Sequence, residues 1–140
     1  MMTICMENQP AILKPDSDDR RIALPDKIGL NFFDLSKIIR CQSDNSYTDF
    51  FILDETTRKK SCIKIVVSKG FEHFEDFMAA KGFFYRVHNQ HIVNVNHIKK
   101  YIKNNGGYLI MDDNTDTMIP VARARKADFL NHLKSRGIIL

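Results

Sequence analysis

The chain has 140 residues, of which 44% are hydrophobic and 27% are charged, a balance typical of a globular domain rather than a disordered or fibrous chain. Its apolar runs are too short to span a bilayer, and no basic region followed by an apolar stretch marks a secretion signal. Three cysteines without C-x-x-C spacing argue against a disulfide framework or a zinc ribbon. We therefore expect a cytoplasmic protein with no membrane segment.

The net charge of +4 is modest, but the charges are unevenly distributed. No Asp or Glu occurs from Phe77 to Met111, a window that contains the cations Lys81, Arg86, Lys99, Lys100 and Lys103. A local field of one sign suits a surface that binds a polyanion. A chance gap in the carboxylates would give the same pattern.

The first half of the chain has the pattern of a β meander. Residues 1–20 contain Pro10, Pro15 and a DSDD run, so we expect a flexible tail or linker there and a single domain at 21–140. The segments RIALP, GLNFFDL, SKIIRCQ, YTDFFIL and SCIKIVV are rich in β-branched and aromatic residues, with polar turns between them. This alternation predicts short antiparallel strands, with Tyr47 mostly in the core.

The second half adds helices and hairpins. Phe71, Phe74, Phe77 and Met78 have helical spacing, which predicts a helix capped by Ser68 and ended by Gly82. IKKYIK and YLIM flank the hairpin signal NNGG, and a second hairpin runs through DDNTD to TMIPVA. ARARKADFLNHLKSRG predicts a C-terminal helix. The fold class is therefore mainly β, antiparallel, with about two short helices.

Motifs for catalysis are scarce. The chain has no G-x-x-x-x-G-K-[ST], G-x-G-x-x-G, H-E-x-x-H or G-x-S-x-G pattern. His88, His91 and His97 are close in sequence, but no Cys or acid lies nearby to complete a zinc site. A nuclease with His88 as base and Lys100 as clamp would lack the paired groups that phosphodiester chemistry uses. We expect no enzymatic activity, cofactor, metal or small-molecule substrate.

The stretch FFYRVHNQHIVNVNHIKKY, residues 83–101, closely resembles the signature of LytTR-type DNA-binding domains, F-x-R-x-H-(R/N)-(S/x)-(x)-(I/L/V)-V-N-x-x-x-I. The matching residues are Phe84, Arg86, His88, Asn89, Val93, Asn94 and Ile98. IIRCQSDNSYTDFF, SKGFEHFEDFM and GGYLIMDDNTDTMIPVARARK resemble neighbouring blocks of the family in the same order. The likeness extends from about Arg21 to the C-terminus.

The resemblance implies an elongated, mainly β domain whose loops enter successive major grooves of DNA, with a basic residue in the minor groove between them. Such domains usually follow a receiver or membrane module in bacterial response regulators of two-component systems. We expect no receiver in this chain, which would make it a stand-alone regulator or an isolated domain. Two positions depart from the family: Ala122 replaces a frequent Ser, and Asn89 replaces the commoner Arg.

Side-chain chemistry and the resemblance together nominate the site. We expect Asn45, Ser46, Asn89 and Gln90 to read base edges from two turns. Arg86 would contact phosphate from an exposed position, although a surface salt bridge is the alternative. His88 is as compatible with a structural role, and Asn94 is expected to bond backbone groups of a turn. The candidate DNA-binding residues are Asn45, Ser46, Arg86, His88, Asn89, Gln90, Arg123, Arg125 and Lys126.

The basic cluster at the start of the last helix has an electrostatic argument of its own. Cations at a helix N-terminus oppose the helix dipole unless a polyanion neutralises them. The function expected is sequence-specific binding of double-stranded DNA at promoter direct repeats by a bacterial transcriptional regulator, with a homodimer on DNA left open. Two alternatives remain: a module that grips an acidic protein partner, and an RNA-binding domain.

Overall fold

The computed structural model describes residues 20–55 and 61–138, and the chain divides into two compact units, Met1–Ser36 and Lys37–Leu140. In the first unit, β1 (Arg21–Pro25) pairs with β2 (Leu30–Asp34) in an antiparallel two-stranded sheet. The carboxylate of Asp26 accepts hydrogen bonds from the backbone N–H groups of Ile28 and Gly29, each at 2.9 Å, and so closes the turn. The flexible tail predicted for residues 1–20 lies outside the described residues, except for Arg20.

A five-stranded antiparallel sheet forms the larger part of the second unit. Its strands are β3 (Ile38–Asp44), β4 (Tyr47–Asp54), β5 (Ser61–Val67), β6 (Phe84–His88) and β7 (His91–Asn94). Their order across the sheet is β5-β4-β3-β7-β6. Tight turns join β3 to β4 and β6 to β7, while β3 pairs with β7 from the later half of the chain.

A second, three-stranded sheet consists of β8 (Ile98–Ile102), β9 (Tyr108–Met111) and β10 (Met118–Pro120), in the order β10-β9-β8. Asn105, Gly106 and Gly107 all have positive φ in the NNGG turn, which confirms the predicted hairpin. Helix α2 (Arg123–Ser135) buries Phe129 and Leu133 in the core of this unit. The other buried core residues are Ile39, Val87, Val93, Val95, Leu109, Met111, Ile119 and Val121.

The helix predicted from Ser68 to Gly82 is wrong in extent. The segment contains a short 3-10 helix at Phe71–His73 and a five-residue helix α1 (Glu75–Ala79). Gly70 is extended, and the carbonyl of Lys69 accepts a 2.6 Å hydrogen bond from the hydroxyl of Thr48. Because Gly70 has an extended backbone, a helix that began at Ser68 could not continue into Phe71.

The mainly β antiparallel fold class with two α-helices is confirmed. Over residues 20–55 and 61–138, no helix has the length and apolarity that crossing a membrane requires.

Candidate nucleic-acid interface

Two polar turns lie at the same end of the five-stranded sheet. Because β3 and β7 are antiparallel neighbours, the turn that follows β3 and the turn that precedes β7 lie side by side at the same end of the strands. The backbone N–H of Ser43 donates a 2.9 Å hydrogen bond to the carbonyl of Gln90, which joins the turns directly. We call these two turns, residues 43–47 and 88–91, together with the first turn of α2, the loop edge.

The β3–β4 turn presents four exposed side chains, Asp44, Asn45, Ser46 and Tyr47. Asn45 has φ +57°, a left-handed conformation that Asn adopts more readily than most residues, and Asn45 and Ser46 are both exposed. Tyr47 is 48% exposed, so the prediction that it lies mostly in the core is wrong. Its partner across the strands is Asp44, the last pair before the turn, where little of the sheet remains to cover a ring.

The β6–β7 turn consists of Asn89 and Gln90, both exposed, between the cross-strand pair His88 and His91. The ring nitrogen Nδ1 of His88 accepts a 3.1 Å hydrogen bond from the backbone N–H of Gln90. His88 is half-buried, and its ring centroid lies 5.6 Å from that of His91. In this geometry His88 shapes the turn from within it.

His91 is the buried member of that pair. Its Nδ1 has no hydrogen-bond partner among the described residues. Burial, the neighbouring His88 and the charge of Arg40 lower the pKa of His91 from 6.5 to about 4. The ring is therefore neutral at pH 7, and the positive field of the loop edge does not come from it.

Arg86 contacts protein groups on two sides. Its Nη1 donates to the Glu75 carboxylate at 2.7 Å, and its Nη2 donates to the main-chain carbonyl of Asn89 at 2.6 Å. Its guanidinium lies 5.1 Å from the centroid of the Phe71 ring, and its side chain is only 26% exposed. The expectation of an exposed position is thus wrong for Arg86, whereas Asn89 and Arg123 are exposed.

Helix α2 starts beside the β6–β7 turn. The backbone N–H of Ala122 donates to the carbonyl of Val87 at 2.8 Å, which ties the helix start to β6. Arg125 reaches the side-chain oxygen of Asn89 at 3.4 Å. The first turn of α2 has no acidic residue and no side-chain cap at Ala122, and it carries three of the nominated cations, Arg123, Arg125 and Lys126. The structure therefore brings the two turns and the basic helix start together.

A buried ion pair was missed by the sequence reasoning. Nε of Arg40 in β3 donates to the Asp113 carboxylate at 2.7 Å, with side-chain exposures of 3% and 1%. Burial opposes ionisation of Asp113, but hydrogen bonds from Arg40 and Thr115 outweigh it and hold its pKa below 3.8. Because the partners are 73 residues apart, no local sequence pattern could indicate the pair.

Two further expectations concern Asn94 and metal ions. Asn94 is fully buried, donates to the carbonyl of Ile38 at 3.0 Å and accepts from the N–H of Asn96 at 2.9 Å, which confirms its structural role. The part of the chain that the structure describes contains no group of three or more His, Cys, Asp or Glu residues able to hold a metal ion.

Comparison with known proteins identifies the family. The family model of the LytTr DNA-binding domain matches residues 29–134. The fold is similar to that of the LytTr DNA-binding domain of a Bacillus cereus protein described as a methyl-accepting/DNA response regulator. That match has a TM-score of 0.64 and 22% identity, and it covers 81% of this chain and 96% of the other. No curated protein matches the chain. The chain belongs to the LytTR family of DNA-binding domains.

Proposed function

We propose that this chain is the sequence-specific double-stranded DNA-binding part of a bacterial transcriptional regulator. The observation that carries the proposal is the loop edge itself: two exposed polar turns, bonded to each other, stand beside a basic helix start. Exposed amides and hydroxyls can read base edges, while cations at an uncapped helix start suit phosphates. The family gives this arrangement its target, because LytTR domains bind DNA.

Within the loop edge, residues divide by chemistry. Asn45, Ser46, Asn89 and Gln90 are proposed to read bases, because their short polar side chains project from turns without a covering strand. The cations of α2 are proposed to hold the DNA: Arg123 enters the minor groove, while Arg125 and Lys126 contact phosphates. Tyr47 joins this surface as an exposed aromatic beside Ser46. His88 acts through the turn that it shapes.

The spacing of the turns limits how they fit DNA. The β3–β4 and β6–β7 turns are centred two strand spacings apart in the sheet, or about 10 Å. A major groove is about 12 Å wide, and successive major grooves are about 34 Å apart along the helix. Both turns therefore suit one major groove and its bordering backbone. Reading of a second major groove would require a separate contact region about 34 Å from these turns.

Asn89 gives the proposal a base preference. An Asn side chain pairs with the N6 and N7 positions of adenine, whereas the Arg that is commoner at this family position pairs with guanine. Arg125 lies 3.4 Å from the amide oxygen of Asn89 and orients it. We propose that the sequences bound by this domain are richer in adenine at the position Asn89 meets.

The cellular setting is part of the same proposal. Direct repeats at a promoter, action in the bacterial cytoplasm and membership of a two-component system follow from how such domains are generally used. A domain at residues 21–140 behind a tail at 1–20 remains our prediction of the chain's organisation. Binding of a second copy on DNA is left to experiment.

Selection of bound duplexes from a random pool tests the function directly. The expected result is a defined motif, bound at least about a thousandfold more tightly than random duplex, the lower end of ratios for specific binders. Single-stranded DNA and duplex RNA probes of the same sequence should bind far more weakly. Equal affinity for heparin and duplexes, with no motif enriched, would instead favour the alternative of a module that grips an acidic protein.

A further inference from the structure

Asp44 is an exposed acid within the loop edge, and Glu75 is a second acid near it. Glu75 is half-buried at the start of α1, and its carboxylate lies 2.7 Å from Nη1 of Arg86. It lines the same surface cleft as Arg86 and Arg125. A carboxylate near DNA repels phosphates, so its presence beside the β6–β7 turn calls for a compensating gain.

The contacts of Arg86 show what that gain is. The guanidinium connects α1, through Glu75, with the main-chain carbonyl of Asn89. It also lies over the ring of Phe71, so three separate groups restrain it. The guanidinium is planar and rigid, so when Glu75 anchors one of its nitrogens, the other nitrogen is held in a fixed direction. That second nitrogen donates to the carbonyl of Asn89 and thereby restrains the backbone of the turn.

We infer that Glu75 is a positioning residue for DNA recognition, which acts through Arg86 to hold the β6–β7 turn in the conformation that presents Asn89 and Gln90. The inference rests on the proposed function, since it assigns Glu75 to the same surface. It also changes the role of Arg86, from the phosphate contact expected from the sequence to an internal brace. Preorganisation of a binding loop raises affinity by reducing the ordering cost of the bound state.

The substitution Glu75→Gln separates the possible roles, because they predict changes of opposite sign in the affinity for the selected duplex. A positioning role predicts that affinity for the selected duplex falls by about three- to tenfold while affinity for random duplex stays equal or rises slightly. A bystander carboxylate predicts slightly tighter binding to both duplexes. If Arg86 instead contacts a DNA phosphate and Glu75 only competes for its guanidinium, Glu75→Gln should tighten binding to both duplexes and make the affinity depend more steeply on salt concentration. Either of the last two results would overturn the inference.

A matched control is available three residues earlier in the chain. Glu72→Gln removes the same charge from a side chain that is 77% exposed and whose carboxylate lies 4.0 Å from Nε2 of His73. It should leave the ratio of specific to random affinity unchanged. Because Glu72 and Glu75 belong to the same short segment, a loss in both variants would indicate a general charge effect and contradict the positioning role.

Arg86→Lys provides a second variant that keeps the charge. A lysine has one compact ammonium group and cannot reproduce the planar two-sided bridge, so the positioning role predicts a loss of specificity similar to that of Glu75→Gln. A phosphate contact made by charge would instead be largely retained. Amide hydrogen exchange should quicken in both variants at Gln90, whose N–H is bonded to His88, and at Ser43, whose N–H is bonded to Gln90, with melting temperatures little changed.

The proposed function is tested with the wild-type protein alone, so its failure can be distinguished from a failure of the role inferred for Glu75. A wild-type protein that selects no motif refutes the function. A wild-type protein that selects a motif, together with a Glu75→Gln variant that keeps the full specificity ratio and the wild-type rate of amide exchange, refutes only the role of Glu75. In a variant that already carries Asn89→Ala, adding Glu75→Gln should cause little further loss of specificity, because the side chain that Glu75 positions is already absent.

Discussion

Removal of the Asp113 carboxylate should destabilise the domain more than any surface change. Arg40 would then carry an unpaired charge at 3% exposure, with only the 2.9 Å bond to Gln42 and the Phe51 ring 3.7 Å away as polar or π partners. Breaking one side of a buried ion pair costs about 3–5 kcal/mol, out of a total of about 5–15 kcal/mol for a typical domain. We expect Asp113→Ala to lower the melting temperature by roughly 10–20 °C.

The assay is urea unfolding followed by circular dichroism, with thermal melts alongside. Asp112→Ala is the matched control, because it removes the same charge from the adjacent, exposed position, and it should change stability by less than about 0.5 kcal/mol. The double variant Arg40→Met with Asp113→Ala should be more stable than Asp113→Ala alone, since no buried charge is left unpaired. Equal stability losses for Asp112→Ala and Asp113→Ala would refute the reasoning.

Three further predictions concern charge and DNA. If five to eight cations contact phosphate, log affinity should fall with log salt at a slope of roughly −4 to −7, and a slope near −1 would contradict the DNA surface. The pKa of His91 is about 4 in the folded protein and 6.5 in the unfolded chain. Between these values the unfolded chain binds a proton that the folded protein does not, so the free energy of unfolding should decline as the pH falls below 6.5 and level off near pH 4. His91→Gln should flatten that decline in pH-dependent urea unfolding, and an unchanged profile would assign it to other groups. Arg123→Ala should cost more affinity on duplexes with an A·T-rich segment beside the motif than on G·C-rich ones, and equal losses on both would argue against a minor-groove contact.

The sequence predicted the elements of the fold better than their limits. Strands with alternating apolar residues and the NNGG turn were found because their signals are local. The helix predicted from Ser68 is interrupted at the extended Gly70, next to Lys69, whose carbonyl accepts a hydrogen bond from the Thr48 hydroxyl twenty-one residues away. Apolar spacing alone does not reveal such a bond.

The candidate site was predictable one turn at a time. The SDNS turn and the HNQH turn each showed exposed polar chemistry, but their meeting at one edge depends on β3 pairing with β7. The environment of Arg86 was also out of reach, since its partner Glu75 precedes it by eleven residues and belongs to another element. The residue types identified the candidate DNA-binding residues, but only the structure shows which strands pair and which side chains these residues contact.

The central claim is that the β6–β7 turn reads bases, and Asn89→Ala tests it most directly. Binding of the wild type and the variant to the selected duplex and to random duplex should be measured at one salt concentration. The account predicts a loss of about 1–3 kcal/mol on the selected duplex, little loss on random duplex and an unchanged melting temperature. Equal losses on both duplexes, or unfolding of the variant, would show that Asn89 serves the turn rather than the DNA.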